Sequence, residues 1–424
     1  MRENFLHYLW KHKKFEIVNL KTQNGESIVI KSVGTHNLNS GPDFFNAQLL
    51  IDEQHWAGNV EIHLKSSHWY KHNHEIDENY DNVILHVVWQ FDIDVFRKNG
   101  SVIPVLVLKD AVSESLLRNY YDLHSKKEKW INCENDIAFV NNFTVSNWLE
   151  RLYFERLERK ALEIELLLQN SNYDWEAVLF KLLTKNFGLK INSDAFLSLA
   201  NSFDFSLVRK LQSKILNIEA LFLGQGGLLK ADRKDAYYIS LKNEYHFMKQ
   251  KYQLNNEGVF PLQFFRLRPA NFPTLRLAQL ASLYTKRQSL FSNIIQINKV
   301  EELYKLFAVS TSKYWETHYN FDKSSNKTIK KVTKPFIDLL VINTIIPLKF
   351  SFAKSKDLDI NETIVQLISK ITAENNSIIK KFNLIKLTSN SALQSQAIIE
   401  LKSNYCDKNK CLQCAIGNQL LERN

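Results

Sequence analysis

The stretch GNVEIHLKSSHW, residues 58–69, has the pattern of a β-strand with one unusual face. Side chains alternate between the two faces of a strand, so the aliphatic residues of this stretch point to one side. The other side carries an acid, an imidazole and an ammonium group, namely Glu61, His63 and Lys65. An ordinary strand avoids such a face, and we therefore take these three residues as candidate catalytic residues.

Several short apolar runs surround this strand. They are rich in β-branched residues and are separated by turn signals, which is typical of a sheet. The runs are FEIVNL (15–20), SIVIKSV (27–33), FNAQLLI (45–51), NVEIHL (59–64), NVILHVVW (82–89) and VIPVLVL (102–108). A helical stripe at residues 3–12 precedes them. The first part of the chain is therefore predicted to be a mixed β-sheet domain that a helix opens.

The pattern changes to helix further along the chain. Residues 144–170 carry apolar side chains at three-to-four spacing, and similar patterns recur towards the C-terminus. The sequence thus predicts an α+β protein in which the sheet domain, 1–125, is followed by a basic, mostly α-helical body, 137–424. The polar stretches at 125–136 and 321–334 are the expected linkers.

The net charge of +10 on the 424 residues is unevenly distributed. Residues 1–110 contain 11 Lys+Arg and 14 Asp+Glu, whereas the remaining residues contain 44 and 31. A basic surface suits a polyanion, above all nucleic acid. The amino terminus is too polar for a signal peptide, and the most apolar later stretch, 335–352, contains polar residues and is short for a membrane span. We expect a soluble, cytoplasmic protein with nucleic acid as partner and no membrane attachment.

The order of the helix, the strands and the acidic residues resembles the core of the PD-(D/E)XK nuclease superfamily. GPDFFNAQLLI supplies Pro42 and Asp43, and VEIHLK supplies Glu61. The resemblance implies that Asp43 and Glu61 hold Mg²⁺ or Mn²⁺, which prefer hard oxygen ligands. The superfamily's lysine position is His63 here, and Lys65 lies one step further along the same face. Either residue would then position the attacking water, and the protein would hydrolyse nucleic-acid phosphodiesters.

Three alternatives remain open for this face of the strand. In the first, Glu61 and Lys65 form an exposed ion pair without a chemical role. In the second, the fold is a degenerate nuclease that serves as a nucleic-acid-binding or protein-binding scaffold, with His63 marking lost chemistry. In the third, a metal hydrolase with histidine and carboxylate ligands acts on another substrate.

The histidines downstream bear on the third alternative. The stretch SSHWYKHNHEIDENYD, residues 66–81, mixes histidines and carboxylates at short spacing, as sites for Zn²⁺ or Mn²⁺ do. His68 is a further active-site candidate, whereas His72 and His74 are expected on an exposed turn. His86 lies in an apolar strand, where an imidazole needs a partner, and it could face the site beside His63.

Basic residues also gather in FRLRPANFPTLRLAQLASLYTKR, around an Asn-Phe-Pro turn that precedes an amphipathic helix. Arginine at turns and helix starts suits phosphate binding, so Arg266, Arg268 and Arg276 are candidate substrate-binding residues. An exposed helical face with ordinary ion pairs explains them nearly as well.

Four segments look like those of one uncharacterised bacterial family of unknown function. They are GPDFFNAQLLIDEQHWAGNVEIHLKSSHW, YDNVILHVVW, RLRPANFPTLRLAQLA and YCDKNKCLQCAIGNQLL. The resemblance spans essentially the whole chain. It implies no activity and supports only the architecture.

The chain has four cysteines, Cys133, Cys406, Cys411 and Cys414, and the last three have the spacing Cys-x4-Cys-x2-Cys. A cytosolic protein rarely keeps disulfides, so this spacing favours a metal. Three close thiolates with a remote fourth resemble the iron-staple nucleases, in which a 4Fe–4S cluster ties the C-terminus to the nuclease body. A Zn²⁺ ion would satisfy the same four ligands, and reduced thiols without a metal remain a further alternative.

Overall fold

The amino-terminal strands form one curled, mixed sheet in the computed structural model, which describes residues 1–124 and 129–423. The strands are β1 Ile28–Ser32, β2 Thr35–His36, β3 Phe44–Ile51, β4 Gln54–Lys65, β5 Val83–Gln90 and β6 Val105–Val107. Their order is β1-β3-β4-β5-β6, with β2 paired to β3. The pairs that involve β3 are antiparallel, whereas β4/β5 and β5/β6 are parallel. The predicted α+β class with an amino-terminal mixed sheet is confirmed.

One predicted strand is not formed. The run FEIVNL, residues 15–20, lies in bends and turns, with Asn19 in the left-handed conformation at φ 56°. Ile17 and Val18 are exposed, because the turning chain lets only the two ends of the run pack inwards. The alternation of an isolated short run could not distinguish this turn from an edge strand.

Strand β4 lies inside the sheet and buries both of its faces at residues 60–63. Val60 and Ile62 are fully buried on one face, and Glu61 and His63 are only 5% and 2% exposed on the other. Lys65, at the end of the strand, is exposed. The polar face of β4 is therefore not the solvent-facing surface that an exposed ion pair would need.

Helices make up most of the remaining chain. In chain order they are α1 Glu3–His12, α2 His68–Lys71, α3 Glu114–Leu123, α4 Asn142–Gln169, α5 Trp175–Phe187, α6 Leu189–Asn201, α7 Ser206–Leu211, α8 Ile215–Gln225, α9 Ala236–Lys251, α10 Pro273–Lys286, α11 Leu290–Gln296, α12 Val300–Phe307, α13 Lys334–Leu340, α14 Ile346–Lys354, α15 Asn361–Ser369, α16 Ser377–Leu384, α17 Ala392–Glu400 and α18 Ala415–Leu421. A small hairpin of β7 His318–Asn320 and β8 Lys323–Ser324 interrupts them. The helical body predicted after the sheet is thus present.

The chain divides into two compact units. The sheet unit comprises Met1–Trp148, Lys381–Leu387 and Leu401–Asn424, and the helical unit comprises Leu149–Lys380 and Thr388–Glu400. This division differs from the one predicted from sequence, because α18 packs on α3 and places the cysteine-bearing C-terminal segment in the sheet unit. Residues 125–128 of the predicted linker lie outside the described residues.

The segment Lys334–Lys354 is apolar and long enough to cross a membrane by length and composition. It contains α13, a π-helical segment at Val341–Ile345, and α14. Of its most apolar window, 78% is buried inside the protein, as in the core helix of a soluble protein. Burial rather than a lipid environment accounts for its composition.

Candidate functional site

Asp43 and Glu61 lie side by side on neighbouring strands. The backbone N–H of Asp43 donates to Glu61 Oε2 at 3.2 Å, and the backbone N–H of Ile62 donates to Asp43 Oδ2 at 3.0 Å. Antiparallel pairing of Phe44 with Val60 produces this arrangement, because it sets the residue before β3 next to the middle of β4. The structure therefore brings together the two carboxylates that the sequence proposed as partners.

Two imidazoles lie against the other oxygen of Glu61. Glu61 Oε1 is 3.5 Å from His63 Nε2 and 3.3 Å from His74 Nε2. The ligand atoms of His63, His72 and His74 all lie within 4.8 Å of one another. In a tetrahedral site with bonds of about 2.0–2.1 Å, neighbouring ligand atoms are about 3.4 Å apart. The separations at Glu61 Oε1 therefore fit a single cation bound by nitrogen and oxygen donors.

His63 lies in the middle of a chain of three imidazoles. Its Nδ1 is 2.9 Å from His86 Nε2, and its Nε2 is 3.1 Å from His72 Nδ1. A neutral imidazole has one donor and one acceptor nitrogen, so both hydrogen bonds of the chain must point the same way. His86 is fully buried, and its Nδ1 has no hydrogen-bond partner within residues 1–124 and 129–423. The tautomers of the three histidines are consequently linked.

Helix α1 brings two further ionisable groups to the carboxylates. His7 Nε2 lies 3.3 Å from Asp43 Oδ2. Burial lowers the pKa of His7, but the hydrogen bond and the negative charge of Asp43 outweigh it, so that the pKa is raised above its ordinary value. Burial, followed by the charge of Asp43, raises the pKa of Glu3. His7 is therefore a partner for the Asp43 carboxylate, and this contact favours the protonated form of its imidazole.

Burial determines the charge of the inner groups. Desolvation, followed by the charge of Asp43, raises the pKa of Glu61 to about 9. Desolvation lowers the pKa of His86 to about 3, and desolvation with the neighbouring imidazoles lowers the pKa of His63 as well. With no cation present, Glu61 is protonated and these histidines are neutral near pH 7. Neutral imidazole is the form that binds metals, and a bound cation would displace the Glu61 proton.

The carboxylates and imidazoles line an open cleft of about 390 Å³, which we call the histidine–carboxylate cleft. Its lining includes Glu3, Asp43, Glu61, His63, His72, His74 and Tyr80. The ring of Tyr80 stacks on His74 with 3.7 Å between the ring centroids. The size falls within the range of about 300–1,000 Å³ that is usual for small-ligand sites.

His74 differs from its expected position on an exposed turn. The left-handed conformation of Asn73, at φ 60°, folds the chain back, and the backbone N–H of His74 donates to the Trp69 carbonyl at 3.1 Å. His74 is buried as a result, whereas His72 is exposed as expected. The sequence did not predict that His74, His7 and Glu3 belong to this site. The only signal for His74 was the mixture of histidines and acidic residues at short spacing in residues 66–81.

The remaining candidates of this region lie at or beyond the edge of the cleft. Lys65 is exposed and does not line the cleft. His68 is partly buried, with its ring centroid 5.9 Å from that of His63. The structure thus groups His63, and not Lys65, with the two carboxylates.

The three candidate arginines belong to the helical unit. Arg266 and Arg268 are exposed, and the Arg266 guanidinium lies 5.0 Å from the ring centroid of Phe265. Arg276 is buried, its guanidinium is 3.8 Å from the ring centroid of Phe336, and burial lowers its pKa to about 10. This position holds helix α10 in place and leaves Arg276 no access to a substrate.

All four cysteines meet at a second place in the sheet unit. Cys133 follows α3, and the other three precede α18. They line one small cavity together, and none of them forms a disulfide. The structure therefore assembles the predicted set of four thiols from two distant parts of the chain.

Comparisons with known proteins agree with the whole-chain resemblance. The family model described as Protein of unknown function (DUF2851) matches residues 3–377, nearly the whole chain, and the chain belongs to this family. No curated protein and no solved structure matches the chain.

Proposed function

We propose that this member of a family of unknown function is a divalent-metal-dependent hydrolase that cleaves nucleic-acid phosphodiesters in the histidine–carboxylate cleft. The observation that carries the proposal is the approach of His63 Nε2 and His74 Nε2 to Glu61 Oε1, at 3.5 and 3.3 Å, beside Asp43. Two carboxylates and several neutral imidazoles in one cleft form a set of donors that divalent cations bind.

The path of the chain supports phosphodiester chemistry. A helix, α1, precedes the sheet, Asp43 stands at the start of β3, and Glu61 lies on the next strand, β4. This is the order that resembles the PD-(D/E)XK core. The balance of 44 basic against 31 acidic residues beyond residue 110 supports a polyanionic substrate. Both arguments favour nucleic acid over a neutral substrate.

The donors favour Mn²⁺ over Mg²⁺ as the cation. Mg²⁺ prefers oxygen ligands, whereas imidazole suits transition metals, and Mn²⁺ also accepts carboxylates. Asp43 and Glu61 would hold the cation together with His63 and His74. When bound, the cation would polarise the phosphodiester and lower the pKa of a water molecule.

His72 is the group best placed to take up a proton at the mouth of the cleft. It is exposed, and a cation bound by His63 Nε2 would replace the hydrogen bond between that atom and His72 Nδ1, so that His72 would be free to take up a proton. Slight burial and the neighbouring His74 and Lys71 lower its pKa below the ordinary value, which makes it a neutral acceptor near pH 7. Lys65 has no role in this proposal.

The test is cleavage of labelled single- and double-stranded DNA and RNA in Mn²⁺, Mg²⁺ or Zn²⁺ by the wild type, Glu61→Gln and Glu53→Gln. Glu53 is exposed beside the turn that joins β3 and β4, so its substitution removes the same charge from the same sheet. Electron paramagnetic resonance of Mn²⁺ measures metal binding separately. We expect the wild type and Glu53→Gln to cleave, and Glu61→Gln not to cleave. Removing a residue that only hydrogen-bonds to a metal ligand lowers metal affinity by up to ~100-fold. Because Glu61 would bind the cation directly, Glu61→Gln should lose more Mn²⁺ affinity than that.

Cleavage that persists in a folded Glu61→Gln protein would contradict the proposal.

A second candidate is a metal hydrolase acting on another substrate, which the imidazole-rich donors and the position of Lys65 favour. Mn²⁺ binding that depends on Glu61, with hydrolysis of bis(p-nitrophenyl) phosphate but not of nucleic acid, would support it. Mn²⁺ binding without any hydrolysis would favour a degenerate nuclease fold that acts as a scaffold.

A further inference from the structure

We propose that Cys133, Cys406, Cys411 and Cys414 bind an iron–sulfur cluster that fastens the C-terminal segment to the sheet unit. These are all the cysteines of the chain, and Cys406 lies 273 positions after Cys133 in the sequence. They nevertheless line the same cavity, and none is oxidised to a disulfide. The proposal rests on residues outside the histidine–carboxylate cleft and is independent of the function proposed there.

The surroundings of the four thiols suit a cofactor rather than an ordinary apolar core. Aliphatic side chains such as Leu123, Leu401 and Ile416 complete the wall of the cavity that the four cysteines line. A cavity bordered by cysteine side chains and aliphatic groups offers water few hydrogen-bond partners. Sulfur ligands inside an apolar wall are the usual setting of a protected cluster.

A nitrogen donor points at one of the sulfur atoms. The side-chain amide of Asn132, the residue before Cys133, donates to Cys411 Sγ at 3.3 Å. Such a donor stabilises a negatively charged thiolate ligand and tunes a cluster, whereas a neutral structural thiol does not need it.

Gly417 allows the loop that carries Cys411 to approach α18. A Cβ atom at this position would lie 2.2 Å from the carbonyl oxygen of Cys411 and 3.2 Å from its Cα. Any larger residue would push that backbone away, so the close approach of the two cysteine-bearing segments depends on glycine here.

The spacing of the cysteines along the chain favours an iron–sulfur cluster over a single zinc ion. The run Cys-x4-Cys-x2-Cys is a spacing that iron–sulfur proteins use for three ligands, and Cys133 supplies the fourth from a distant part of the chain. Structural zinc sites typically take their ligands as two close pairs, which this set of three and one does not form.

The cluster would reinforce contacts that already hold the C-terminal segment. Lys14 pairs with Glu422 at 2.8 Å, and the side chain of Asn119 donates to the Leu421 carbonyl at 3.1 Å. These are partly exposed polar contacts, each of which contributes little on its own. A covalently ligated cluster between Cys133 and the segment would lock it to α3 and α1 far more firmly.

The test uses the full chain, purified without oxygen, with iron, acid-labile sulfide and zinc measured per chain. Cys133→Ser and Cys411→Ser are compared with Lys408→Ser, an exposed residue of the same loop. We expect iron and sulfide in equal amounts, about two or about four of each per chain, with the visible absorption of sulfide-to-iron charge transfer. Both cysteine variants should lose them, and Lys408→Ser should retain them.

Protection of residues 401–423 in hydrogen exchange provides a second measurement on the wild type, before and after removal of the metal by a chelator. We expect faster exchange in this segment once the cluster is removed. One zinc per chain without sulfide, or no metal even after reconstitution with iron and sulfide, would overturn the proposal. Unchanged iron and sulfide in Cys133→Ser would overturn it as well, because the remote cysteine would not be a ligand.

Discussion

Replacing Glu61 with glutamine removes a carboxyl group that the folded protein holds in its protonated form. Burial and Asp43 raise the pKa of Glu61 from 4.5 to about 9. Because the folded pKa lies above the unfolded one, this group costs nothing below pH 4.5 and destabilises the protein increasingly as the pH rises towards 9. At about 1.4 kcal/mol for each pH unit, the cost reaches about 3 kcal/mol at pH 7. Glutamine cannot ionise, and its oxygen can still accept from the Asp43 N–H.

The assay is urea unfolding of the wild type and Glu61→Gln in EDTA at pH 5 and pH 7, followed by tryptophan fluorescence. Trp10 and Trp69 are buried in the sheet unit and report on its unfolding. Between the two pH values, the difference in unfolding free energy should shift by about 2–3 kcal/mol in favour of the variant. Mn²⁺ should reverse the order, because a ligand at 100 times its Kd stabilises the wild type by about 2.7 kcal/mol.

A wild type that gains stability relative to Glu61→Gln between pH 5 and pH 7 in EDTA would refute this reasoning. The carboxylate would then be ionised and held by His63 and His74 as an ordinary ion pair. Glu53→Gln is the matched control, because it makes the same substitution at an exposed position of the same sheet. A Mn²⁺ effect of equal size in the wild type and Glu61→Gln would mean that the cation binds elsewhere.

Three further substitutions test other parts of the structure. Gly58→Ala should destabilise the sheet by about 1–3 kcal/mol in urea unfolding, because the added Cβ would lie 2.5 Å from Cγ2 of Ile84 on β5. Arg276→Lys should destabilise the helical unit by about 1–3 kcal/mol, because it removes the hydrogen bonds of the guanidinium and its contact with the ring of Phe336. The same variant should bind nucleic acid with unchanged affinity in fluorescence anisotropy. The pKa of His86 in the folded protein, about 3, lies below its ordinary value of 6.5, so the wild type loses stability as the pH falls from 6.5 towards 3. Leucine does not titrate, and His86→Leu should therefore reduce this loss of stability by about 2 kcal/mol at pH 5.

The alternation along β4 and the order of the strands allowed part of the candidate site to be predicted. Both features are local, since a period of two fixes which side chains share a face. They predicted that Glu61 and His63 share a face and that Asp43 comes beside them, and the structure places the three together. The same alternation put Lys65 on that face, but it cannot show where the sheet ends and solvent begins.

The rest of the cleft depends on contacts between elements that are distant in the sequence. His7 reaches Asp43 only because α1 packs against β4, and His74 turns inwards only because Asn73 adopts a left-handed conformation. Hydrophobic periodicity predicts that α1 is a helix without predicting where it docks. For the same reason the helical pattern of the C-terminal segment did not show that Cys406 and its neighbours pack in the sheet unit.

The imidazole chain gives His86 a role in the proposed metal site although it does not line the cleft. If His63 offers the lone pair of Nε2 to a cation, its proton must reside on Nδ1 and be donated to His86 Nε2. His86 then carries its own proton on Nδ1, the buried atom for which residues 1–124 and 129–423 supply no partner. In the opposite arrangement of protons, His86 Nδ1 has a lone pair and His63 carries its proton on Nε2, which donates to His72 Nδ1. A protonated Nε2 cannot bind a cation. His86 is thus a positioning residue whose tautomer determines whether His63 can act as a ligand.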